Sequence, residues 1–150
     1  MKILVATEKP FAKKAVDGIR QIVEGAGYEL ALLEKYTDKS ELLSAVADVD
    51  ALIIRSDKVT AEVIEAARNL KIVVRAGAGY DNVDLAAATA RGIVVMNTPG
   101  QNSNAVAELA LAMMIFMARN GFTPGTGSEI QGKTLGIHAY GNVGRLVGRK

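Results

Sequence analysis

Two stretches of the sequence carry residues whose types and spacing could do chemistry. The first is RAGAGYDN (75–82), which follows the apolar run KIVV, and it is matched by Arg55 after the apolar run ALII. A guanidinium grips a carboxylate or phosphate through two parallel N–H donors. Gly77 and Gly79 flank Ala78 and keep bulk away from the main chain, so that backbone amides can approach an anionic oxygen. Read together, Arg55, Arg75, Gly77, Ala78 and Gly79 form an anion pocket for a small acid. A second reading stands beside it, in which the glycines only turn the chain and the arginines only face water.

The second stretch is LGIHAYGNVGRLVGRK, at 135–150. A dinucleotide turn takes the form G-x-G-x-x-G between a strand and a helix: the first glycine permits the turn, the second admits the pyrophosphate, and the third lets helix and strand pack closely. The frame here is Ala139-Tyr140-Gly141-Asn142-Val143-Gly144, with alanine in the first place. The helix that follows offers free amides and a positive dipole end to a phosphate. The acidic residue that grips the adenine ribose, about 20 residues further on, would fall beyond Lys150.

The remaining polar residues read more simply. Asp81 and Asn82 suit a turn, Asn102 or Ser103 a helix cap, and Glu108 a positive helix end. His138 closes the apolar run TLGI and is the only histidine. It reads as a structural residue. With no second histidine and no cysteine, a multi-histidine zinc site and thiolate chemistry are both excluded, so no metal is expected.

These residues need a scaffold, and the pattern supplies one. Short apolar runs at KILVAT (2–7), YELALLE, DALIIRS, KIVVRAG and IVVMN (93–97) alternate with helical patterns at 11–26, 39–47 (Ser40 as cap), 60–69 (Thr60 as cap) and 84–92. Strands apolar on both faces and separated by helices imply an α/β fold, a doubly wound parallel sheet covered on both sides. Ligands of such sheets bind at the carboxyl ends of the strands, where Arg55 and the Arg75–Gly79 segment both fall. After the breakers Pro99 and Gly100 a long helix (103–119), apolar almost all round, is expected to be buried with Met113, Met114 and Met117 in the core. We therefore divide the chain into residues 1–98 and 99–150. A net charge of +2 is too small to argue for nucleic acid or an anionic membrane, and the longest apolar run, LALAMMIFMA, is about half a membrane span.

The block from Arg75 to Asp84, the NTP junction, the AVAEL helix start and GKTLGIHAYGNVGR, in that order, resemble the D-isomer-specific 2-hydroxyacid dehydrogenases. The resemblance implies a flavodoxin-like substrate domain (1–98), followed by an interdomain helix and the start of a Rossmann NAD-binding domain (99–150). It implies an NAD-dependent oxidoreductase acting on a small 2-hydroxy acid, cytoplasmic and homodimeric through its nucleotide domains. Arg55, Arg75, Gly77, Ala78, Gly79 and Asn102 would face the substrate, with Ala78 also near the nicotinamide. Tyr140, Gly141, Asn142, Val143 and Gly144 would carry the pyrophosphate. The family's catalytic arginine, glutamate and histidine lie further along than Lys150, so no catalytic residue is expected within the chain, and the 150-residue chain alone is expected to be inactive. The alternative from the same fold is a non-enzymatic, NAD-sensing co-repressor.

Overall fold

The computed structural model describes all residues, Met1–Lys150. The chain divides into two compact units, Met1–Thr98 and Pro99–Lys150. The first holds strands β1 (Lys2–Thr7), β2 (Glu29–Glu34), β3 (Ala51–Ile54), β4 (Ile72–Arg75) and β5 (Val94–Asn97). They form one parallel sheet in the order β2-β1-β3-β4-β5. Helices α1 (Lys13–Gly25), α2 (Lys39–Ala45), α3 (Ala61–Ala66) and α4 (Leu85–Ala90) connect them. This is the doubly wound α/β layer expected from the alternation of patterns.

Register explains the core. Leu4, Leu52, Val73 and Val95 stand side by side across β1, β3, β4 and β5, and successive side chains alternate between faces. The face they define packs against Leu42 and Val46, Val63, Ile64 and Ala67, and Ala88, contributed by α2, α3 and α4 and their ends. Leu52, Ile54, Val46 and Val63 are fully buried. Each such side chain contributes roughly 1.5–3 kcal/mol on burial, which makes this layer the main source of the unit's stability.

The opposite face departs from the expectation of two covered sides. Val16 and Val23 of α1 are buried over one part of the sheet, but Val94 and Met96 on β5 are 55% and 52% exposed. The sequence pattern shows which residues are apolar and not what covers them.

Two helix starts also differ in detail. Asp38, rather than Ser40, caps α2: its carboxylate accepts the Ser40 amide at 2.7 Å and Glu41 reaches back to the Asp38 amide at 3.2 Å. Thr60 occupies the cap position of α3, but its hydroxyl makes no capping bond and is buried without a partner.

The second unit contains α5 (Ser103–Ala118), a short 3-10 turn at Asn120–Phe122 and α6 (Asn142–Arg149). The apolar run at 134–138, where the dinucleotide turn takes a strand before it, pairs with no strand. The expected burial of α5 is also corrected. Only Ser103 and Ala107 are buried, Met114 is half-buried, and Met113 and Met117 are 58% and 74% exposed. An all-round apolar helix is a helix that needs covering, and the second unit covers little of it. No helix is long and apolar enough to cross a membrane.

Candidate anion-binding rim and phosphate turn

Strand register brings the first site together. Ile54 at the end of β3 pairs with Arg75 at the end of β4, and Arg75 with Asn97 at the end of β5. Arg55 and the Ala76–Gly79 loop therefore leave adjacent strands on one rim, as the sequence implied. The Ala76 amide donates to the Ile54 carbonyl (2.8 Å) and the Thr98 amide to the Gly77 carbonyl (2.8 Å). Asn97 Nδ2 donates to the Ala78 carbonyl at 2.7 Å. Those bonds turn the loop's carbonyls inward.

The three expected amide donors do not behave alike. The Gly77 amide is spent inside the loop, donating to the Arg75 carbonyl at 2.8 Å, whereas those of Ala78 and Gly79 meet no protein acceptor. Ala78 and Gly79 are thus the amides free to meet an anion. Glycine at 77 has a separate cause. A Cβ there would lie 1.5 Å from Nη1 of Arg75, because the guanidinium is folded over the loop. Arg75 Nε is buried without a partner. Neither Arg55 nor Arg75 belongs to any ion pair. Two unpaired guanidiniums and two free amides on one rim form a surface complementary to a small polyanion.

The residue that organises this rim carries no sequence signature. Asp57 is only 4% exposed. Its Oδ1 accepts the Glu8 amide at 2.7 Å and the Tyr36 hydroxyl at 2.8 Å, and its Oδ2 accepts the Arg55 amide at 3.2 Å. Its main-chain carbonyl accepts Asn82 Nδ2 at 2.7 Å. Asn82, read as a turn residue, is therefore a strut to the neighbouring loop, while Asp84 caps α4 through the Ala87 amide. A lone Asp in RSDKVT gives no periodic signal from which this role could be read.

Tyr36 carries a testable consequence. Its burial, and then its hydrogen bond to Asp57, push its hydroxyl well above the ordinary tyrosine value of 10.0. A group whose folded value is raised contributes stability that is complete below the unfolded value and lost above it. The protein is therefore expected to lose stability as pH rises beyond about 10. In Tyr36→Phe that additional alkaline loss should shrink, as read from urea midpoints between pH 8 and 11.

The second unit holds the phosphate turn. Ala139 has a positive φ of 73°, the left-handed conformation for which the motif places glycine. A Cβ on Gly141 would have nothing within 4 Å, which leaves open the approach that the second glycine serves. A Cβ on Gly144 would lie 2.4 Å from the Ala139 carbonyl oxygen and 3.2 Å from Ile137 Cγ2, so the third glycine is needed for packing. No side chain caps α6, and the first amide after Gly141 with a helical partner is that of Arg145.

A cavity of about 210 Å³ beside this turn is lined by Gly100, Ser103, Asn142, Arg145, Leu146 and Arg149. Ser103 opens α5 and is 4% exposed, and its hydroxyl enters no hydrogen bond. Asn102 stands at the cap position of α5 without making a capping bond. Two helix starts and two arginines around one cavity suit a pyrophosphate in size and charge. His138 is exposed, and Glu108 is held below the usual carboxylate range by Asn104 and then Lys150 rather than by a helix end.

Residues 4–144 match the family described as D-isomer specific 2-hydroxyacid dehydrogenase, catalytic domain. The chain belongs to this family. It is 41% identical to a hydroxypyruvate reductase of Thermotoga maritima over 81% of this chain and 44% of the relative. It is 40% identical to a D-3-phosphoglycerate dehydrogenase of Archaeoglobus fulgidus over 100% of this chain and 30% of the relative. Among solved structures, an NAD+-bound 3-phosphoglycerate dehydrogenase from Entamoeba histolytica superposes with a TM-score of 0.95 at 54% identity, covering 99% of this chain and 49% of that one. The chain thus spans less than half the length of these family members. All three are named as oxidoreductases, and nothing among them favours the co-repressor alternative.

Proposed function

We propose that this chain supplies the substrate-binding face and the opening of the cofactor site of an NAD-dependent D-3-phosphoglycerate dehydrogenase, the first step of serine synthesis. The observation that carries the reading is the rim on which unpaired Arg55 and Arg75 meet the free Ala78 and Gly79 amides. The similarity to an NAD+-bound 3-phosphoglycerate dehydrogenase supports it.

In this reading residues 1–98 form the substrate domain, and residues 99–150 form the interdomain helix and the start of the NAD-binding domain. Arg55 and Arg75 hold the carboxylate and phosphate of the acid, and the two amides fix its orientation, which restricts its approach to one geometry. Asn102 is assigned to the substrate-binding set in this reading. Tyr140, Gly141, Asn142, Val143 and Gly144 hold the pyrophosphate in this reading, Ser103 on the neighbouring cavity joins them, and Ala78 is assigned to the nicotinamide. NAD held there would supply the acceptor for the hydride that leaves C2 as the 2-hydroxyl releases its proton to solvent, and the protein's part is to orient cofactor and acid. A homodimeric, cytoplasmic enzyme completes the proposal.

A second reading rests on the Thermotoga relative: reduction of hydroxypyruvate, whose product is D-glycerate. Calorimetric titration of the chain with D-3-phosphoglycerate and with D-glycerate separates them. Tighter binding of the phosphorylated acid, weakened roughly tenfold or more in Arg55→Ala and Arg75→Ala, supports the dehydrogenase. Equal binding supports the reductase, and no saturable binding of either acid overturns both. The chain alone should generate no NADH.

A further inference from the structure

We infer that Asp57, with Tyr36, is the positioning device for Arg55. The inference rests on the reading above in one respect, that Arg55 meets the anionic substrate. The sheet changes direction of travel between β1 and β3, so the loops after these strands leave toward opposite faces. The ladder between β1 and β3 reaches Ala6 and Ile54 and goes no further, so it sets the roots of the loops and not their course at the rim. The Asp57 carboxylate ties them together there, by accepting the Glu8 amide from one loop and the Arg55 amide from the other. Tyr36, just past β2, donates to the same carboxylate, and Asn82 from the loop after β4 donates to the Asp57 carbonyl. The segments following β1, β2 and β3, and the loop before α4, are thus fixed to one residue.

The arrangement is selective in what it orders. The Arg55 main chain is bound, whereas its side chain is exposed and makes no hydrogen bond or ion pair. Preorganising the root of a long cationic side chain lowers the entropy lost when it grips a ligand. Charge alone would act in the opposite direction. Asp57 pairs with no cation, and a negative group beside an anion site weakens binding. The sign of a substitution's effect therefore separates positioning from field. Asp57→Asn keeps the shape, removes the charge and sets an amide against donors that need an acceptor.

The test is a double-mutant cycle on the whole 150-residue chain, with D-3-phosphoglycerate affinity and thermal midpoint measured for wild type, Asp57→Asn, Arg55→Ala and the pair. Positioning predicts that Asp57→Asn weakens binding about tenfold in the wild-type background and less than twofold when Arg55 is already alanine. Tyr36→Phe, which leaves both amide bonds in place, should fall between wild type and Asp57→Asn. Tighter binding in Asp57→Asn, or the same loss in both backgrounds, overturns the inference. If the wild-type chain binds no acid, the proposed function fails, and the inference is then decided without ligand by amide hydrogen exchange. Selective loss of protection at Arg55 and Glu8 in Asp57→Asn sustains it, and unchanged protection overturns it.

Discussion

Gly144→Val is expected to lower kcat/KM for NAD about a hundredfold in the proposed dehydrogenase, the scale of loss that accompanies a displacement of roughly 1 Å at a reacting geometry. The reason is local. The added Cβ would fall 2.4 Å from the Ala139 carbonyl oxygen, a backbone atom that has no rotamer to escape into. The turn at Ala139 already holds an L-residue at a φ of 73°, so little further adjustment is available there. Helix α6 must therefore move off Ile137, and its free amides move with it. Gly141→Ala provides the contrast. Its Cβ meets nothing within 4 Å in the ligand-free protein, so the thermal midpoint should hold while NAD affinity falls. Steady-state kinetics with NAD varied, alongside thermal melts, check both. An unchanged kcat/KM in both variants would show that the turn is not the pyrophosphate site.

Gly77→Ala should act on the other substrate. Its Cβ would sit 1.5 Å from Arg75 Nη1 and 2.3 Å from Cζ, so alanine and the folded guanidinium cannot coexist. The atoms that must yield are the end of a flexible side chain, which limits the cost in stability to about 1 kcal/mol. The cost in recognition is larger. Arg75 loses the surface on which it rests, and with it the fixed direction of a charge-assisted hydrogen bond. A tenfold to hundredfold weaker affinity for D-3-phosphoglycerate follows from the usual worth of such a bond. Titration calorimetry beside a melting curve separates the two effects. Equal affinity in wild type and variant would mean that Arg75 leaves the loop before it binds.

Much of this was legible in the residues. Alternating apolar runs and helical patterns located the five strands, because strands of a parallel sheet are apolar enough to stand out. Arg55 and the RAGAG loop could be placed on one edge, since both follow strands whose carboxyl ends share a side of the sheet. Gly144 could be read on other grounds, because a Cβ there would meet the Ala139 backbone, a steric demand that glycine meets. Tertiary bonds were not legible. Asp57 works through amides and a hydroxyl contributed by residues 8, 36 and 55, and no spacing announces a carboxylate that bridges loops. The capping of α2 by Asp38 rather than Ser40 turned on a shift of two residues. The exposure of α5 departs from its apolar pattern because apolar composition states a demand for cover and does not say where the cover comes from.

The open flank of β5 bears on how the molecule behaves in solution. This strand pairs on one side only, and it presents Val94 and Met96 to water beside a free row of main-chain donors and acceptors. Such a border is a template on which another chain can add a strand. Crowding then favours stacking of still-folded molecules, with no need to melt the layer built around Leu52. Association of this kind would begin at one uncovered margin and leave the interior folded.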